Sequence, residues 1–573
     1  MSARWRYTLA VVLALGLILS LAAVSGCKST TTTPGGTTGE TPVAGGTFQF
    51  GDMTEPAYID PYNAQETSGV NVESNVFDSL LVIDPLDATK LLPAAAASWE
   101  PNTDLTVWTF KLDPNDKFSD GTPVTAKDFV YAWNRIANPK EINTITKKAD
   151  PSVLSFHIDK IQGFKDVAGG KTTTMSGLKA VDDLTLEVTL SEPYADFEYV
   201  VAHPALAPVP QKYVEGGVDF NGTKVPFGEM PIGNGPFKLS EPWKHEQFIK
   251  TVKNENYYGQ KGYLDGVDYI IFKDTQTEYL EFQAGNLDFS IIGDGQINTA
   301  KTTYGESTDG WTVDPGKQVL LGAFPGIYYI EINNLDPVMK NIDVRRAVSL
   351  AINRQAICDV VFQGARKPAD SFVPPGIGGY EKGAWPDSKY DVEAAKAALA
   401  KAGFPGGAGL PKLKLAYNAD GAHKPIMELV QSDLATIGVT ADLNPYADFA
   451  SYLKACEQPG SKVQFGRMGW VADYPTPNNF LYAMFVTGGG NNYSGYSNKT
   501  VDDMMAKANG IADTAARNAA WLEINKTIAA DCPVAPIMYY TNTYVGSDRV
   551  HGFVYGLTQL PDFSKTWLTN GGK

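Results

Sequence analysis

Histidine is scarce in this chain, five residues in 573, and no two of the five stand at metal-ligand spacing. His245-Glu246 is not completed by the second histidine of a zinc-protease helix. There is no Gly-x-Ser-x-Gly elbow, since Ser494-Gly495 lacks the spacing. Gly170-Lys171-Thr172 echoes a phosphate loop, but Lys165 stands where its first glycine belongs. An exposed lysine in a turn is the better reading there. The common routes to hydrolysis, phosphoryl transfer and metal chemistry therefore lack their parts, and no catalytic residue, metal or cofactor is expected. Basic charge is also short: 48 Lys and Arg against 64 Asp and Glu, a net charge of -16. An acidic surface repels phosphate, which speaks against a nucleic-acid partner. Tandem repeats are absent.

Long apolar runs are missing too, with one exception. Arg4 and Arg6 precede the almost wholly apolar stretch from Leu9 to Val24, which ends in Val24-Ser25-Gly26-Cys27. This resembles a bacterial lipobox, in which small residues fit the signal peptidase and the cysteine takes a lipid. The alternatives are an ordinary signal peptide or a single membrane anchor. Residues 28–46, rich in Thr, Gly and Pro, cannot bury apolar surface and read as a flexible tether. Nothing after residue 27 is apolar and long enough to span a bilayer. With Cys27 lipidated, Cys358, Cys456 and Cys532 remain. They allow one disulfide at most, and three unpaired thiols are equally compatible.

The body has ordinary globular composition, 43 % apolar and 20 % charged, over a length that calls for several packed units. Thr47 to Phe50 alternates as a first strand. Trp108, Phe110 and Leu112 share one strand face, as do Leu184, Leu186, Val188 and Leu190, and again Tyr328, Ile330 and Ile332. Thr125 to Asp128 predicts a capped helix start. Asp391 is placed to cap an alanine-rich helix, with Gly403 at its far end. Strands and helices interleave throughout, an α/β class.

The most informative segment is Arg467-Met468-Gly469-Trp470-Val471-Ala472-Asp473-Tyr474-Pro475. A short extended run there ends in a carboxylate. An extended peptide can pair its backbone with such a strand. Asp473 can hold an ammonium, and Arg467 can hold a carboxylate bidentately. The plainer reading is a surface aspartate, an ordinary arginine and a core tryptophan.

Several stretches together carry a resemblance. They are Ser98-Trp99-Glu100, Val107 to Phe110, Phe118 to Trp133, Leu186 to Pro193, Gly233 to Lys238, Tyr328 to Asn334, Asp343 to Ala347 and Ala472-Asp473-Tyr474. From about residue 47 to about 560 the chain resembles the peptide/nickel (family 5) solute-binding proteins of ABC importers, and most closely the oligopeptide-binding ones. The resemblance implies a periplasmic-binding-protein-like, two-lobe α/β fold with an extra inserted domain. Lobe 1 would comprise 47–84, 206–322 and 541–573, the inserted domain 85–205, and lobe 2 323–540. It implies a monomer, lipid-anchored on the outer face of a membrane or in the periplasm. That monomer would enclose a short peptide and deliver it to permease subunits.

Residue by residue, the resemblance assigns Asp473 to the peptide ammonium, with a turn cap as the alternative. Arg467 falls to the carboxylate end, or to a lobe-closing salt bridge. His423 serves the same end at another peptide length, or is a loop histidine. Gly469 and Val471 match positions that pair with the peptide backbone. Trp470 and Phe449 wall side-chain pockets or are plain core, and Asn491 and Asn492 match polar residues near the cleft. Two cations of the pattern are absent: Cys456 stands where an arginine belongs and Phe362 near a lysine position. The aromatic aligned with residues 140–150 is not evident. Nickel chelate, haem, sugar or opine cargo, a peptide-signal receptor and an unrecognised hydrolase are the competing readings.

Overall fold

The computed structural model describes residues 41–293, 295–419, 423–457 and 460–572. Cys27, the proposed leader and most of the tether lie outside them.

Alternating apolar residues build three main sheets. The strand Thr47–Met53 lies inside a seven-stranded sheet. The order is Phe237–Leu239, Phe248–Lys253, Gly266–Ile271, Thr47–Met53, Phe289–Ile291, Tyr544–Gly546 and Val319–Leu320. Phe48 and Phe50, fully buried, face its core. An antiparallel four-stranded sheet follows, ordered Ala96–Pro101, Val107–Leu112, Thr185–Thr189 and Leu178–Asp182. Trp108, Phe110 and Leu112 point inward from it. Leu184 does not: it precedes the strand and is exposed, because an Asp182-capped turn takes it out of register. The helix Ala126–Ala137 starts with the expected capping box between Thr125 and Asp128. It buries Trp133, whose indole N–H donates to the Leu206 carbonyl at 2.9 Å. These two sheets share one continuous apolar core.

The third sheet has six strands, ordered Lys367–Pro368, Ala535–Thr541, Ala323–Ile332, Phe465–Val471, Leu413–Asn418 and Ala441–Tyr446. Both faces are covered. Tyr328, Ile330 and Ile332 enter one core and Ile327 and Tyr329 the other, the two-residue period of a doubly buried strand. The helix Val392–Lys401 begins where Asp391 accepts from the Ala394 N–H at 3.0 Å. Gly403 just past its end has φ +96°, as a left-handed terminator requires. Cys358, Cys456 and Cys532 are all free and buried.

The chain passes between the seven- and six-stranded sheets twice, side by side. Ala323 pairs with Thr541, and the Asn542 N–H donates to the Gly322 carbonyl at 2.9 Å. A second junction joins the four-stranded region to the six-stranded half. There the Arg517 guanidinium meets the Asp196 carboxylate at 3.2 Å, both buried, and the Ala195 N–H donates to the Asn509 carbonyl. The Tyr194 hydroxyl meets Asn478 Oδ1 at 3.0 Å. Lys160 lies over the Tyr482 ring.

Candidate functional site

The strand Phe465–Val471 is paired along its whole length on one side, Phe465 opposite Ile332 through Val471 opposite Gly326. On its other side, Leu413–Asn418 reaches only Phe465 and Gly466. Beyond Gly466 no strand among the described residues occupies that edge. Backbone parity fixes which groups look toward it. The Ala472 N–H donates to the Pro325 carbonyl, so the even-numbered residues turn toward Ala323–Ile332. The Arg467 carbonyl instead accepts from the Tyr452 hydroxyl at 2.7 Å. Gly469 and Val471, with the same parity as Arg467, turn their N–H and C=O groups to the unpaired edge. Gly469 also has a packing reason: a Cβ there would collide with the Tyr540 hydroxyl.

Asp473 stands just past one end of this edge. Its side chain is 22 % exposed, and it borders a small recess lined also by Ile83, Ala88, Pro325 and Leu557. Asn479 fixes it, donating to Oδ2 at 3.0 Å and accepting from the Asp473 N–H at 3.1 Å. The same Asn479 oxygen accepts from the Trp470 indole at 2.8 Å. Oδ1 is left with His203 Nε2 at 3.9 Å, too long for a hydrogen bond. Burial pushes the Asp473 carboxyl up to about 6, with the Asn479 hydrogen bond pulling the other way. Burial pushes His203 down to about 4. Going down in pH, Asp473 is neutral before His203 charges, so the two are not an ion pair.

His157, His203 and Asp473 are the one group of potential metal ligands found among the described residues, their donor atoms within 4.8 Å. Sequence spacing did not anticipate it, because 45 residues separate the two histidines. His157 is buried and neither ring nitrogen has a hydrogen-bond partner among the described residues. Yet His203 Nδ1 accepts from the Ala205 N–H at 3.2 Å. That bond places the neutral proton on Nε2, the atom that would have to ligate. The arrangement suits an N–H aimed toward the carboxylate better than an ion.

The other end of the edge is cationic. Arg467 is buried, its Nε donating to Asn418 Oδ1 at 2.6 Å and its guanidinium lying 4.8 Å from the Phe449 ring centre. No carboxylate pairs with it among the described residues. His423, just before the helix Lys424–Ala435, meets the Tyr328 hydroxyl at 3.4 Å. Burial first, then the charges of Arg467 and Arg366, push its imidazole down to about 3, so it is neutral at pH 7. The sequence reading missed Arg366. Its guanidinium lies 4.0 Å over the ring of Phe362, near the missing lysine's position, and 4.8 Å from Tyr540. A cation four residues beyond a vacated cationic position is the signal that could have found it.

Val471 and Phe449 are among the few large apolar side chains left exposed, 40 % and 39 %. Asn492 is otherwise engaged. Its amide donates to the Val486 and Tyr496 carbonyls and accepts from Ser494 and the Tyr496 N–H, leaving nothing for a ligand. Asn491 is half-buried beside it, and no contact brings it to Asp473 or Arg467.

Residues 90–492 match the model of the bacterial extracellular solute-binding proteins, family 5 middle region. The chain belongs to this family. Like its relatives, this family 5 protein is a transport binding protein and not an enzyme. The periplasmic oligopeptide-binding protein OppA of Salmonella typhimurium is 32 % identical over 87 % of this chain and 88 % of its own. The oligopeptide-binding protein OppA of Bacillus subtilis is 29 % identical over 89 % and 90 %. The murein tripeptide-binding protein MppA of Escherichia coli superposes with a TM-score of 0.77 at 26 % identity, covering 92 % of this chain and 99 % of that one. These matches establish the multidomain periplasmic-binding fold. No helix of the described residues is long and apolar enough to cross a membrane.

Proposed function

We propose that this protein captures short peptides by adding them, extended, to the unpaired edge of Phe465–Val471. One observation carries the reading: Gly469 and Val471 present N–H and C=O groups to an edge that no strand among the described residues covers, with a carboxylate at one end and, at the other, a guanidinium that no described carboxylate pairs. Main-chain pairing gives affinity independent of side-chain identity. Asp473 Oδ1 takes the α-ammonium and Arg467 the carboxylate. Six residues of extended chain separate the two, at most about 20 Å, and the reach of both side chains shortens that to about three to five ligand residues. The names of the relatives, oligopeptide- and tripeptide-binding proteins, agree with that cargo.

In this reading 47–84, 206–322 and 541–573 form one lobe, with 85–205 inserted, and 323–540 form the other. The paired segments at Gly322–Ala323 and Thr541–Asn542 are the hinge. Cys27 carries the lipid that holds the monomer outside the cytoplasmic membrane, from which it hands peptide to a permease.

Titration calorimetry with a free and an N-acetylated tetrapeptide tests the assignment. The free peptide should bind in the micromolar range or tighter and the acetylated one at least tenfold more weakly. Equal affinities would remove Asp473 from the site.

A further inference from the structure

Arg366 and Arg467 are two guanidiniums on one side of the six-stranded sheet, with no acidic partner among the described residues. Arg366 lies against Tyr540, whose hydroxyl sits over Gly469, two residues from Arg467 and on the same face of the strand; the charges of both bear on His423 and Tyr328. Arg467 spends one N–H on Asn418. Among the described residues Arg366 has no hydrogen-bond partner, and its Nε is buried. Aromatic faces support both: Phe449 under Arg467, Phe362 and Tyr540 against Arg366. Rings hold a guanidinium in place but do not cancel its charge. The neighbour that could have shared protons, His423, is held neutral. A single carboxylate would leave one of the two cations uncompensated in a poorly hydrated place.

We propose that Arg366 and Arg467 together receive two carboxylates from one ligand end, so that the preferred cargo is a peptide with an acidic C-terminal residue. Arg467, on the peptide-pairing strand, takes the α-carboxylate. Arg366, beside Tyr540, takes the side-chain carboxylate and so acts as a specificity-determining residue. The inference rests on the peptide reading for the orientation of the ligand, and two carboxylates on one short chain are its whole chemical requirement.

The test compares Ala-Ala-Ala-Glu with Ala-Ala-Ala-Gln by calorimetry on ligand-stripped wild-type protein and on Arg366→Met and Arg366→Lys. Wild type should prefer the glutamate peptide at least tenfold. Arg366→Met should erase that preference while holding the glutamine peptide within about threefold, and Arg366→Lys should restore part of it. Equal affinities in wild type, or a preference that survives in Arg366→Met, would overturn the proposal. Should neither peptide bind, the peptide reading fails, and glutarate against butyrate in thermal melts decides the inference. A rise in Tm with glutarate alone, absent in Arg366→Met, supports the double-anion pocket, and no difference refutes it. A cooperative melt of Arg366→Met shows that the variant is folded.

Discussion

Burial penalises the ionised Asp473 carboxylate, and protonation relieves that cost. Its folded-state carboxyl titrates near 6, against 3.8 without burial, so the folded protein retains a proton between those values that the unfolded chain releases. Stability from this group therefore rises as pH falls from about 6 toward 4, and is lost as pH climbs back. Asp473→Asn should raise stability at pH 7 by about 1–3 kcal/mol and flatten that pH dependence, as read by denaturant titration at pH 4.5 and 7. The same change should weaken binding of a free-amine peptide by about 2–5 kcal/mol, the usual effect of removing one partner of a buried charge pair. For the wild type, affinity for amine-bearing peptides should fall by up to about tenfold per pH unit below 6, because a neutral carboxyl cannot pair with ammonium. Constant affinity from pH 7 to 5 would contradict this.

Single residues also show where sequence reasoning stops. Asp473, Arg467 and His423 were legible because each sits inside or beside a dense local motif. Arg366 was not read, although its charge stands four residues past Phe362, where the family pattern expects a cation, and its guanidinium lies over that ring. Asn492 carries the right chemistry at the matching position, but a motif cannot reveal that all four of its hydrogen bonds are already made. The His157–His203 contact is likewise invisible, since it joins two loops far apart in the chain.

At the scale of elements, alternation found the strands Thr47–Met53, Val107–Leu112, Thr185–Thr189 and Ala323–Ile332 and left their sheet neighbours unread, while the capping residues Thr125 and Asp391 predicted helix starts. What alternation could not show is that Leu413–Asn418 leaves Phe465–Val471 after two residues, because partner and register are tertiary facts. The vacated edge makes a specific demand on Gly469. Gly469→Val would drive a side chain into the Tyr540 hydroxyl. It should destabilise the protein by about 1–3 kcal/mol and displace Tyr540 from beside Arg366. Peptide affinity should then fall even in solution conditions where the variant is fully folded, as circular dichroism and calorimetry together would show.

Across the whole molecule, the junctions between the halves differ in character. The paired segments at Ala323 and Thr541 are continuous backbone. The Asp196–Arg517 contact is a buried ion pair, and burial already pushes the Asp196 carboxyl up while Arg517 opposes it. Removing one member leaves a buried charge without its counterpart, so Arg517→Met should cost about 3–5 kcal/mol in chemical denaturation. Asp196→Asn combined with Arg517→Met should recover a substantial part of that loss. An additive double variant would show that the two residues do not act as a pair.

The vacated strand edge has one consequence for chirality. An L-peptide laid along Gly469 and Val471 shares the right-handed twist of the sheet it joins. Its mirror image carries the same termini and the same span, yet coils the opposite way and sends its side chains to the wrong faces. In the proposed binding mode, cargo of the wrong hand is therefore disfavoured by the shape of the backbone, with no residue set aside to inspect it.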